Sequence, residues 1–79
     1  MPTRAEHMKW VKEQAIMELD YYSNETKAVT NSIVSIMSDL RKHPETNSET
    51  LISLCMMELA SGRIRTKAQA RKFIDGFSE

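Results

Sequence analysis

The sequence predicts an all-α fold, a small four-helix bundle of three main helices and a short C-terminal fourth. Three observations predict it. Apolar residues recur at three- and four-residue spacing along most of the chain, the period of one helical face. Three Thr-x-x-Glu/Gln signatures, at Thr3–Glu6, Thr46–Glu49 and Thr66–Gln69, punctuate those runs as capping boxes would. Only two glycines and two prolines occur in 79 residues, and there is no alternating strand pattern, internal repeat or low-complexity tract.

The first helix opens at Thr3, whose hydroxyl can accept a backbone N–H while Glu6 reaches back. Met8, Val11, Ala15, Leu19 and Tyr22 then share one face. Ser23-Asn24 breaks the pattern and can cap the second helix. That helix runs from about Glu25 to Lys42, with Val29, Ile33, Ile36, Met37 and Leu40 on its apolar side. Arg41 and Lys42 suit its negative C-terminal end, and Pro44 stops it.

Thr46 with Glu49 predicts the start of a third helix over Leu51–Ala60. Its sequence, LISLCMMELA, is apolar almost all round, which predicts enclosure by neighbours on several sides. Gly62 fits the left-handed position just past its end. Thr66 with Gln69 opens the short last helix, where Ala70, Phe73, Ile74 and Phe77 share a face.

The length allows one helical domain over residues 1–79. A chain this short buries only about 60% of the surface its unfolded form exposes, so added support is expected. Cys55 is the only cysteine, which rules out an internal disulfide and suits a reducing, cytoplasmic compartment. His7 and His43 are far apart in sequence, with no partners at metal-ligand spacing; neither a metal nor another cofactor is expected. No charged-then-apolar leader is visible, and no apolar run approaches the ~18 residues of a membrane span. Self-association, as a homodimer or higher homo-oligomer, is then the expected support.

Net charge is zero but unevenly spread. Residues 1–62 carry six basic and nine acidic side chains, residues 63–79 five basic and two acidic. The basic segment SGRIRTKAQARKF over 61–73 contains Arg63, Arg65, Lys67, Arg71 and Lys72 without an acid. It marks a candidate contact for an anionic partner: an acidic protein surface, a phosphorylated ligand or nucleic acid. The DNA-binding alternative is a dimeric helix-turn-helix over residues 51–77, with Leu51–Ala60 first and Lys67–Phe77 as recognition helix. Three features weaken it. Glu58 stands where a small residue usually allows the two helices to cross, the turn is long, and no second basic cluster grips the duplex. A short charge run is more often the solvated face of an amphipathic helix, with Arg63 and Arg65 pairing to acids such as Glu58 or Asp75.

A second apolar stripe lies on the first helix. Trp10, Met17 and Tyr21 fall together on the wheel, roughly 180° from the core stripe. One stripe suffices to pack a surface helix, so a second, holding the only tryptophan, marks a partner or self-association interface. Asn31, Ser35 and Ser38 form an uncharged face on the second helix, read as ordinary wet surface.

Catalytic constellations are missing. Cys55 sits in the most apolar helix, where a thiol behaves as a small hydrophobe. His7 and His43 are expected at the surface, and Glu58 in a helix-end ion pair. No phosphate loop, zinc or calcium motif occurs. The expected function is non-enzymatic: a regulator, adaptor or inhibitor acting by contact with another protein, with no membrane involved. In size and lack of chemistry it is similar to the small accessory proteins of phages and mobile elements, an analogy of size and not of motif.

Overall fold

A computed structural model describes residues 2–77, which form four helices and no strand. Helix α1 spans Arg4–Tyr21, α2 Glu25–Leu40, α3 Glu49–Ser61 and α4 Lys67–Gly76. Three of the four starts are the expected ones. Thr3 and Thr66 form full capping boxes with Glu6 and Gln69, and Asn24 accepts the Lys27 N–H at 3.0 Å. These caps satisfy backbone donors that have no partner within the helix.

The start of α3 differs from expectation. Ser48, not Thr46, is its N-cap, accepting from the Leu51 N–H. Thr46 is fully buried, and its hydroxyl donates to the Leu40 carbonyl at 2.7 Å and, more weakly, toward the His43 carbonyl at 3.2 Å. The hydroxyl thus satisfies carbonyls at and just past the end of α2 and pins the 41–48 connection to that end. The α2 helix stops at Leu40, with Arg41 as its cap, slightly short of the expected Lys42. Gly62 adopts the left-handed conformation, φ 71°, just past α3, as expected of a glycine there.

Packing sorts the helices into a three-helix core and one flanking helix. Helices α1, α2 and α4 pack pairwise, whereas α3 rests against α2 alone. The α1 and α2 helices run antiparallel: His7 near the start of α1 donates from Nε2 to the Asp39 carbonyl near the end of α2, at 2.7 Å. Ala15 on α1 and Ala28 and Ser32 on α2 are fully buried, small side chains of the kind that let helix axes approach. Leu19, Ile33, Ile36, Leu40 and Ile74 are the largest fully buried apolar side chains, each contributing about 1.5–3 kcal/mol by burial. Phe77 closes the core past the end of α4, with its ring 5.6 Å from that of Phe73.

Two further expectations fail. The third helix is not enclosed: only Leu51, Ile52 and Cys55 on it are buried, while Leu54, Met56 and Met57 are 39, 56 and 66% exposed. With one neighbour, a helix can bury only one stripe, whatever its composition. Nor are the histidines at the surface. Both are buried, with ring centroids 5.1 Å apart. The antiparallel α1–α2 pairing brings the start of α1 beside the end of α2, and with it His7 beside His43. No helix among the described residues is long and apolar enough to cross a membrane.

Candidate interaction surface

Every fully buried polar side chain among the described residues is hydrogen-bonded, so the interior carries no unsatisfied group awaiting a ligand. The histidine pair is committed to structure. The Glu45 N–H donates to His43 Nδ1 at 3.1 Å, which leaves His43 Nε2 to donate to the Pro2 carbonyl at 2.8 Å. Both Nε2 atoms thus hold backbone carbonyls, and the described residues contain no group of three or more His, Cys, Asp or Glu arranged to hold a metal ion. Burial pushes the Cys55 thiol up from 9.0 to about 11, with Glu58 adding to the shift. A thiol so protonated is a poor nucleophile.

Among the described residues, two apolar faces lie open to the surface. The first is the outer stripe of α1. Met17 is 63% and Tyr21 80% exposed. With Gln14, Glu18 and Tyr22 they line a shallow hollow of about 230 Å³, and the Tyr21 and Tyr22 rings meet edge to face at 4.9 Å. Trp10 shares the stripe but is only 37% exposed. Its ring lies 5.4 Å from that of His7, and the Lys42 ammonium sits 5.4 Å from its centroid, a cation–π geometry. The expected stripe therefore exists as one outer face, with its tryptophan partly covered by His7 and Lys42.

The second face is the outside of α3, where Thr50, Ser53, Leu54, Met56, Met57 and Ala60 are exposed and none is charged. The apolar composition of this helix is plain in the sequence and predicts the interior, yet only Leu51, Ile52 and Cys55 are buried. A groove of about 620 Å³ between α1 and the end of α4 also went unseen. Its apolar part includes Met8, Ile16 and Phe77, Lys9 and Glu13 line it, and Lys12 donates to the Asp75 carbonyl at 2.9 Å beside it. This groove depends on how α1 and α4 pack and has no signature within either segment.

The structure commits most of the basic segment to internal bonds. Arg71 pairs with Asp20 at 2.6 Å, and Arg63 reaches Glu58 at 3.8 Å, the helix-end pair expected for that carboxylate. The Arg65 Nε donates to the Gly62 carbonyl at 2.8 Å, and its backbone N–H donates to Gln69. The Lys67 backbone N–H, at the positive N-terminus of α4, donates to the Glu25 carboxylate at 3.3 Å. Lys72 is exposed and Lys67 half-buried; neither side chain has an ion pair among the described residues. Of the groups a recognition helix would offer to bases, Thr66 and Gln69 are occupied by their own capping box and Arg71 by Asp20, which leaves the Lys67 ammonium. In addition, α3 and α4 do not pack on each other, whereas the two helices of a helix-turn-helix cross closely.

Comparison with protein-family models, with curated proteins and with solved structures finds no match.

Proposed function

We propose that the protein is a small, non-enzymatic, cytoplasmic helical binding protein, a regulator, adaptor or inhibitor that acts by occupying another protein. The observation that carries this reading is the outer stripe of α1. Met17 and Tyr21 are largely exposed beside a shallow hollow that they share with Tyr22, Gln14 and Glu18, although the opposite face of the same helix already builds the core. Exposed aromatic and Met side chains clustered in this way are characteristic of contact surfaces, where Tyr and Trp dominate binding energy. Lys67 and Lys72, with the internally bonded Arg63, Arg65 and Arg71, would add electrostatic steering toward an acidic partner surface, which affects association rate more than final affinity.

The alternative, a dimeric helix-turn-helix DNA binder, has less support: its two helices do not meet, and of its reading groups Thr66, Gln69 and Arg71 are bonded within the chain. Two experiments separate the readings. A photo-crosslinking residue at position 21 or 17, in cells that make the protein, should give discrete protein adducts that the same residue at Ser38 does not give. Adducts equal from both faces, or none, would defeat the proposal. Electrophoretic binding to duplex DNA across a salt series tests the alternative. Tight, steeply salt-dependent binding lost in a Lys67/Arg71 double substitution would establish DNA binding in its place.

A further inference from the structure

We propose that the outer face of α3 is the self-association surface, and that it pairs antiparallel with α3 of a second copy about a two-fold axis passing between Leu54 and Met57. The occupant follows from the pattern of the face itself. Thr50, Leu54, Met57 and Ser61 recur at intervals of four, three and four, a continuous stripe along one side of the helix; the Ser61 hydroxyl donates to the Glu58 carbonyl, and the Thr50 hydroxyl has no partner among the described residues. All are exposed, and the small side chains of Ser53 and Ala60 flank the two large ones. Small residues beside Leu and Met allow close approach of a second helix.

A two-fold interface must be complementary to itself. Here the exchange places Leu54 of one copy against Met57 of the other, and Thr50 against Ser61. The charges at the two ends agree with this register. Glu49 stands at the start of α3 and Arg63 just past its end, each about 10–11 Å from the axis along the helix. Antiparallel pairing therefore brings each Glu49 near the other copy's Arg63, which its own Glu58 holds only loosely at 3.8 Å. A parallel pairing would oppose Glu49 to Glu49 and Arg63 to Arg63 and align the helix dipoles unfavourably.

The outer stripe of α1 has no such self-complementarity. Glu13 and Glu18 flank it near its middle, so an antiparallel α1 pair would oppose carboxylates. Since α1 and α3 both pack on α2 and not on each other, a dimer through α3 leaves both α1 stripes available. The protein would then present two partner-binding faces per dimer. One helix face about 20 Å long and 10 Å wide is smaller than a standard interface, so a micromolar dissociation constant is expected.

Sedimentation velocity of the full chain over a concentration series tests the proposal. The protein should dimerise at tens of micromolar. Leu54→Lys should weaken the dimer about tenfold or more, a buried unpaired charge being that unfavourable, and Tyr21→Ala should leave it unchanged. Glu49→Arg and Arg63→Glu should each weaken association, and combining them should restore it; far-ultraviolet circular dichroism verifies that each variant is folded. A monomer throughout the series, a dimer indifferent to Leu54→Lys, or loss of the dimer in Tyr21→Ala would overturn the proposal. Partner crosslinking through α1 is read separately, so its failure leaves this result standing.

Discussion

The imidazoles of His7 and His43 stack with centroids 5.1 Å apart and planes tilted by 32°, joining the start of α1 to the end of α2. His43 makes this junction with two bonds in opposite senses, donating from Nε2 to the Pro2 carbonyl and accepting at Nδ1 from the Glu45 N–H. Replacing it by alanine removes both partners and opens a gap under His7. We predict that His43→Ala lowers stability by about 2 kcal/mol, read as a shift of the urea midpoint. His43→Gln, which can still donate and accept, should lose less. Equal losses in the two variants would show that ring packing, not the paired hydrogen bonds, holds the junction.

Thr46 tests the same junction from the other side. Its hydroxyl is buried and donates to the Leu40 carbonyl at 2.7 Å, where α2 has no further helical N–H to offer. Thr46→Val keeps the shape and deletes the donor. The variant should be about 1–2 kcal/mol less stable, the cost of leaving a buried carbonyl unpaired. Ser48→Ala, which removes the actual cap of α3, should cost about 1 kcal/mol. If Thr46 were instead the helix cap, Ser48→Ala would be silent.

The contrast between these two residues shows how much of the fold could be read in advance. Thr3, Asn24 and Thr66 were legible as caps because a cap bonds only to backbone within three positions. Thr46 fits the same local pattern, but its hydroxyl is taken by α2, a tertiary preference with no trace in the Thr-x-x-Glu spacing. The core stripes of α1, α2 and α4 were legible from periodicity because in each the buried residues recur on a single face. For α3 the composition left the buried side undetermined, and only its single neighbour, α2, selects Leu51, Ile52 and Cys55. The α1 stripe of Trp10, Met17 and Tyr21 was visible as surplus apolar residues. The pairing of Arg71 with Asp20 and of Glu25 with the start of α4 was not, since both join segments remote in sequence.

The two glycines should respond to alanine in opposite directions. Gly62 sits at φ 71°, and a Cβ there would meet only the Arg65 guanidinium at an ordinary 3.6 Å. The penalty for Gly62→Ala is therefore backbone strain, about 1 kcal/mol, with no added clash. Gly76, the last residue of α4, has open space at its Cβ and no positive φ. Gly76→Ala should stabilise by about 0.5 kcal/mol through reduced freedom of the unfolded chain. Thermal melts of the two variants should move to opposite sides of the parent.

Cys55 gives a prediction in pH. Its thiol is fully buried, and burial raises it from 9.0 to about 11 in the folded chain. The unfolded chain therefore loses this proton first as pH rises. Between those two values the folded state binds more protons than the unfolded one, so stability must fall with increasing pH. The contribution is fully present below pH 9.0 and is lost by about 11. Urea midpoints of the parent should decline across this window more steeply than those of Cys55→Ala, which lacks the group. At neutral pH a thiol reagent should modify the native chain slowly, at a rate that rises with urea as the helix opens. Rapid labelling of the folded protein would instead place Cys55 on an accessible face of α3, contrary to its position against α2.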